Sequence, residues 1–463
     1  MRVDEITGIV KNYFSMALIA LIALGIIFVL AYFIVYKTVL KGKKSLPKKR
    51  VLLLGMFIGY IFMVIGVTFL MRGSNYHGGV DLSLFSSYRE AWYSFTVRHW
   101  QSIYLNIVMF IPLGILLPLL HPRLQKAVWT IGVAALFTLT IESVQLLTGY
   151  GIFTVDDLVN NLLGAIIGYG ITMAIVSIKE KGIKQSFLYF SPLLLVIIVS
   201  GSTFTYYNLK EFGNLSIVPT HKIDMRQATT SIDVELNDSS MTVPIYKAPS
   251  YTKDATDEFV QEFFERIHID TSDMVDISYP DLGMYRINGE NFYNMSFQFR
   301  DGSYSFNNFS INDDSIKPLD IDEETIKEIL TKFGIDIPQD NKFQKVNTGV
   351  YEWTVDKKVN KNQLIDGAIT ASYYNDHTVK EIGNQLVTYD KVRDVQIKSE
   401  QEAYKEILDG KFQIFVENNK IDTLQIQNVE ISYYLDSKGY YQPVYAFQST
   451  VDGMDMTIVV PGI

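Results

Sequence analysis

The sequence predicts an α-helical polytopic membrane domain of about six spans, fused to a C-terminal α+β soluble domain. Three observations predict it. Apolar runs of about 20 residues, the length that crosses a bilayer as a helix, recur through residues 1–206 and then stop. The charge changes sign at the same place: residues 1–206 carry 17 Lys+Arg against 8 Asp+Glu, and residues 207–463 carry 24 against 42. Beyond 207 the pattern becomes short amphipathic helices among runs of period two. A basic apolar half followed by an acidic half reads as a membrane module joined to a soluble one.

The expected spans lie near 16–36, 51–71, 103–120, 127–147, 157–178 and 186–206. The first follows Asp4 and Glu5, exceeds a signal-peptide core in length and lacks a small-residue cleavage site, so it reads as an anchor. Basic residues orient the bundle. Lys37, Lys41, Lys43, Lys44, Lys48, Lys49 and Arg50 fill one loop, Arg123 and Lys126 a second, and Lys179, Lys181 and Lys184 a third. With six spans these loops share one side, which the positive-inside rule makes cytoplasmic. Both termini and residues 207–463 are then extracytoplasmic, on a cell membrane. Loop 72–102 is external and aromatic, with Tyr76, Tyr88, Trp92, Tyr93 and Trp100 beside Arg89 and Arg98. It reads either as an interfacial belt or as a surface that gathers substrate.

Composition excludes several chemistries. There is no cysteine, hence no disulfide, thiolate metal site or cysteine nucleophile. The six histidines form no pair at metal-binding helical spacing, and no HExxH occurs. No metal and no cofactor are expected. An acidic soluble half does not suit nucleic acid.

The residues lipid tolerates least converge at one level. Asn106 opens the third span, Glu142 and Gln145 close the fourth, and Asp156, Asp157, Asn160 and Asn161 open the fifth. An ionisable group at membrane depth reads as functional by default. At 1.5 Å per residue Glu142 lies about 8 Å below the outer end of its helix. Glu142 and Gln145 share a helix face at i,i+3, and Asp157 and Asn161 share one at i,i+4. The expected binding set is Asn106, Glu142, Gln145, Asp157 and Asn161, and Glu142 and Asp157 are the catalytic candidates. Capping of the fifth helix explains Asp156 equally well, and interhelical hydrogen bonding explains Asn106 and Gln145. Pro112 and Gly114 are expected to break the third helix, and Gly164 and Gly168 to form a close-packing GxxxG face. Thr148-Gly149-Tyr150-Gly151 lacks the valine of a potassium filter and sits in a turn between spans.

Asn106-Ile-Val-Met-Phe-Ile-Pro-Leu-Gly114, Ile141-Glu142-Ser-Val-Gln145 and Asp156-Asp157-Leu-Val-Asn160-Asn161-Leu-Leu-Gly164 follow in order. Together they resemble the VanZ family, named for a teicoplanin-resistance accessory protein, over residues 55–180 or so. The chain departs from that pattern in two places. It has Asp81-Leu-Ser-Leu-Phe85 where family members often show Asn-Leu-x-Pro, and Thr154 where they often carry a further Asp. The resemblance implies a cell-envelope protein linked to glycopeptide or lipoglycopeptide tolerance.

In residues 207–463 helices are expected at Asp257–Ile267, Glu323–Phe333 and Glu400–Leu408. Strands are expected at Tyr285–Phe299, Ser303–Ile311, Gly349–Val355, Asp422–Tyr434, Tyr441–Val451 and Met454–Val460. The arrangement suggests two related subdomains split near 340–350. The stretch from Ser399 to Gln448 resembles PepSY- or YycI-type modules of Gram-positive envelope proteins. No nucleophile elbow or catalytic acid pair occurs there, so this part reads as a binding or interaction module.

Three functions fit. The first is a VanZ-like protein that lowers glycopeptide action near a lipid-linked target through an outer-leaflet polar pocket. The second is a membrane enzyme acting on a lipid or lipid-linked cell-wall precursor, with Glu142 as base and Asp157 as acid or cation ligand. The third is a sensor whose external domain binds a peptide or an envelope protein partner.

Overall fold

A computed structural model of the protein describes residues 47–70, 79–288, 292–309, 315–414 and 420–463. The expected first span at 16–36 and Tyr76 of the aromatic loop lie outside them. The chain divides between Glu211 and Phe212 into two compact units.

In the first unit, five helices among the described residues are long and apolar enough to cross a membrane: Lys48–Phe69, Val97–Leu120, Ala127–Thr148, Val155–Ile178 and Ser191–Leu209. In chain order the elements are α1 (Lys48–Ile65, continued by a π-turn over Gly66–Leu70), β1 (Val80–Asp81), α2 (Ser86–Ser94), α3 (Val97–Leu120), α4 (Ala127–Thr148), β2 (Phe153–Thr154), α5 (Val155–Lys181), α6 (Ile183–Tyr189) and α7 (Ser191–Leu209). The span expected at 186–206 starts instead at Ser191, because Pro192 in the first turn begins a new helix there. Helix α3 is not broken at Pro112 or Pro118 but runs through both. Each proline removes one backbone donor, a cost that packing of Phe110, Leu113, Leu116 and Leu117 into the bundle core offsets.

Helices α3 and α5 run parallel and meet backbone to backbone. A Cβ added at Gly164 would lie 1.9 Å from the Ile107 carbonyl oxygen. One at Gly168 would lie 2.0 Å from that of Ile111, and one at Gly114 2.0 Å from that of Ala165. Small residues give lipid-embedded helices this approach, so the GxxxG face expected from sequence is the α3 contact. The turn after α4 uses Gly149, at φ 71°, where a side chain would be strained.

The second unit is α+β. Its strands are β3 (Thr229–Ile232), β4 (Met241–Lys247), β5 (Met274–Asp276), β6 (Leu282–Ile287), β7 (Tyr293–Gln298), β8 (Tyr304–Asn308), β9 (Lys342–Asn347), β10 (Val350–Asn360), β11 (Gln363–Tyr373), β12 (Val379–Asn384), β13 (Val387–Ile397), β14 (Thr423–Leu435), β15 (Tyr440–Val451) and β16 (Met454–Pro461). Among the described residues they form one hydrogen-bonded set, whose main path runs β3-β14-β15-β4-β13-β11-β12-β8-β7-β6-β5. The helices are α8 (Lys253–Arg266), α9 (Glu323–Lys332) and α10 (Glu400–Leu408). Thr252 and Asp322 cap the first two, and Ser399 with Glu402 forms a capping box on the third.

Two large apolar cores lie on this set of strands. The first packs Val260, Phe263 and Phe264 of α8 and Ile326 and Leu330 of α9 against β6–β8 and β10–β12. The second packs Ala403 and Ile407 of α10 against β4 and β13–β16. Residues 340–350 fall within the stretch that serves the first core. The single strand expected at Tyr285–Phe299 is instead the hairpin β6–β7. Strands β4, β11 and β13 escape sequence reading because Pro244, Gly367 and the run Asp390-Lys-Val-Arg-Asp394 interrupt their alternation.

Since the Ile107 carbonyl allows no Cβ at Gly164, we predict that Gly164→Leu costs on the order of 3 kcal/mol through overpacking. The amount of protein in membranes and its thermal midpoint in detergent measure this. A variant equal to wild type in both would contradict the backbone contact.

Candidate functional site

The polar residues lie where α3 and α5 begin and α1 and α4 end. Helix α5 is capped by Thr154, whose Oγ1 accepts from the Asp157 N–H at 3.2 Å. Asp156 therefore does not cap its own helix. Its Oδ1 accepts from the Phe85 N–H at 2.6 Å and its Oδ2 from the Ser87 N–H at 2.8 Å, and both donors lie at the start of α2. A carboxylate on free N-terminal amides is a favourable partner for a helix dipole. The short parallel pair β1–β2, with Asp81 beside Thr154, places the two segments for this bond. Further along α2, Tyr88 donates to Asn160 Oδ1 at 2.5 Å. Burial and the nearby Asp156 carboxylate push the Tyr88 phenol up to about 12, so it stays a donor at neutral pH.

Trp92 and Phe95 of this segment pack on α3 and α7. Trp92 stacks on Tyr206 of α7 at 5.9 Å, and Phe95 meets Trp100 of α3 and Phe204 of α7.

Deeper in the bundle, Asn106 Nδ2 of α3 donates to Asp157 Oδ1 at 2.5 Å. Asn161 Nδ2 of α5 donates to Thr138 Oγ1 of α4 at 2.8 Å. Gln145 Nε2 of α4 donates to the Thr68 carbonyl after α1 at 3.3 Å. The i,i+4 relation of Asp157 and Asn161 thus does not make them partners. Sharing a face of one helix leaves both side chains free to bond across to different neighbours, α3 and α4. Glu142 lies on the face of α4 that also carries Thr138 and Gln145, and is only 3% exposed. Asp156, Asn160, Asn161, Gln145 and Thr138 are equally buried.

Of the five expected residues, the structure pairs Asn106 with Asp157 and sets Glu142, Gln145 and Asn161 around the α4 face. Sequence reasoning missed Thr138 and Thr68, which bond to Asn161 and Gln145. The Tyr60 hydroxyl and Asn161 Oδ1 are buried without a hydrogen-bond partner among the described residues. A tyrosine or threonine in an apolar run carries little polarity signal, so nothing in the spacing marks these positions. Chemically the cluster offers a buried carboxylate with amide and hydroxyl neighbours, able to hold a polar head group or exchange a proton. Among the described residues no group of three His, Cys, Asp or Glu side chains could hold a metal ion.

Five apolar spanning-length helices with a buried polar cluster, joined to a sheet-rich unit, define a polytopic membrane protein with an α+β domain. Residues 57–177 match the VanZ/LLP1 family model, so this part of the chain is similar to that family. No curated protein was found to match the chain. Among solved structures, an uncharacterized protein from Eubacterium rectale is similar at 11% identity, over 51% of this chain and 87% of that one, with a TM-score of 0.27. The Bacillus megaterium YpeB C-terminal domain is similar at 10% identity, over 46% of this chain and 94% of that one, with a TM-score of 0.21.

Asp156→Asn should weaken the hold on α2 while leaving α3 and α5 packed. Each charge-assisted bond contributes about 1.5–3 kcal/mol, so amide exchange at Phe85 and Ser87 is expected to accelerate roughly tenfold or more. Unchanged exchange at both amides would show that Asp156 does not anchor α2.

Proposed function

We propose that the VanZ-like domain engages a lipid-linked ligand at the outer leaflet through Asn106, Glu142, Gln145, Asp157 and Asn161, and so lowers susceptibility to glycopeptides of the teicoplanin type. One observation carries this reading: Glu142 is a carboxylate held almost fully buried in an apolar bundle, among side chains that can hydrogen-bond a polar group. Burying an ionised carboxylate is costly, and packing alone would be served as well by an apolar residue. The position of the cluster supports an external opening. Arg123 and Lys126 lie between α3 and α4, at the end of the bundle away from the cluster, and Lys48, Lys49 and Arg50 start α1 at that same end. With that orientation, residues 212–463 follow α7 on the outer side.

The test is teicoplanin and vancomycin susceptibility in a Gram-positive host lacking its own copy. Wild type, Glu142→Gln and a truncation after Glu211 are compared at matched membrane levels. Wild type is expected to raise the inhibitory concentration of teicoplanin, and Glu142→Gln to return it to that of the empty host. Equal protection by wild type and Glu142→Gln would remove the carboxylate from the mechanism. Loss only in the truncation would move the activity to the α+β domain.

A further inference from the structure

The sheet under the first core of the α+β unit has a second, polar face. Tyr285 and Ile287 of β6, Met295 and Phe297 of β7, Tyr304 and Phe306 of β8, Ile382 of β12 and Ala371 and Tyr373 of β11 enter the core. Residues between them in each strand point to the other side. Strand register sets five of these in one row. Arg286 pairs with Asn294, Asn294 with Asn307, Asn307 with Glu381, and Glu381 with Ser372.

Three of the five hold a solvent-shielded polar atom with no hydrogen-bond partner among the described residues: Arg286 Nε, Asn294 Oδ1 and Ser372 Oγ. Ten such atoms occur across all the described residues, so three in a single row is a concentration. The neighbouring row differs, since Ser296 and Ser305 satisfy one another at 2.8 Å. Ser372 is 2% exposed and closes the row at its far end. Arg286, Asn294 and Asn307 are half-buried and Glu381 is exposed. The Arg286 guanidinium lies 5.0 Å from the Phe292 ring centroid, a stack that holds it over the sheet.

The order of charges selects the ligand. A cation and a carboxylate stand three strand spacings apart, about 14 Å, with two primary amides between them. Each amide offers both donors and an acceptor, which suits peptide N–H and C=O groups. An extended chain of four residues spans about 13–14 Å. We propose that the row Arg286–Asn294–Asn307–Glu381 binds a short peptide of about four residues laid across the strands. Its free C-terminal carboxylate sits on the Arg286 fork and its amino group faces Glu381. Polyanions are disfavoured, because Glu381 stands within the row and the surrounding unit is acidic.

Isothermal titration of the full-length protein in nanodiscs with tetra-alanine bearing free termini tests this. Saturable binding is expected, weakened roughly tenfold or more when the peptide C-terminus is amidated, because a charged bond is lost. Arg286→Gln should weaken the free peptide to a similar degree, and amidation should then cost nothing further. Arg286→Lys, which keeps the charge but not the fork, should fall between. Glu381→Gln should do the same for N-acetylation. Thermal midpoints equal to wild type identify variants that remain folded. Absence of saturable binding at millimolar tetra-alanine would overturn the proposal. So would an amidation penalty that survives intact in both Arg286 variants.

Discussion

The close approach of α3 and α5 is the constraint on which the membrane domain depends. Helices in lipid gain little from burying apolar surface against each other, so association rests on packing and interhelical hydrogen bonds. Gly114, Gly164 and Gly168 let the two backbones touch, and the touching carbonyls of Ile107, Ile111 and Ala165 fix both depth and register. That register carries Asn106 to Asp157, within hydrogen-bond reach. It also places the first turn of α5 where Asp156 can turn outward to α2 instead of capping its own helix.

Around that axis the polar side chains divide by task. Asn106–Asp157, Asn161–Thr138 and Gln145–Thr68 each join two different helices. Bonds of this kind contribute about 0.6–2 kcal/mol apiece in a bilayer and specify which helix faces which. Asp156 and Asn160 instead hold α2 across the top of α5. Glu142 is a carboxyl group among amide and hydroxyl side chains. A neutral glutamine there would supply the same hydrogen-bonding reach at lower desolvation cost, so retention of a carboxylate needs a reason beyond packing.

Much of this was legible in the sequence, and the remainder was hidden for identifiable reasons. Length and hydropathy place the spans from Lys48 to Leu209, since crossing a bilayer is a one-dimensional requirement. The helix starts at Glu323 and Glu400 match those expected, whereas α8 starts at Lys253, one turn before the expected Asp257, where Thr252 caps it. Partner choice is a three-dimensional property. Intrahelical spacing suggested Asp157 with Asn161, whereas packing gave each a partner on another helix. Thr68 and Thr138 were invisible because their polarity is masked by apolar neighbours. In the α+β unit β13 hides because its exposed middle, Asp390 to Asp394, is charged at every position but Val392. Alternation marks a strand only where one face is buried.

The departures from the family pattern make physical sense at Thr154. The position needs an oxygen that accepts from the third amide of α5, and a threonine hydroxyl supplies it almost as well as an aspartate. The threonine adds no charge beside Asp156 and Asp157. A third carboxylate there would crowd two that already accept from the Phe85 and Ser87 amides and from Asn106. The Asp81 segment shows the same economy. Asp81 accepts from the Ser83 N–H at 2.8 Å and the Ser86 hydroxyl at 2.6 Å, shaping the turn into α2 by side-chain bonds instead of a proline ring. Phe85 then enters α2 at φ 64°, a left-handed conformation that is strained for a bulky residue. The hydrogen bond its backbone N–H donates to Asp156 is one interaction that holds it there. Asp156, for which sequence spacing offered a helix cap as one reading, instead holds the turn into α2, so the two departures and the buried cluster form a single connected arrangement.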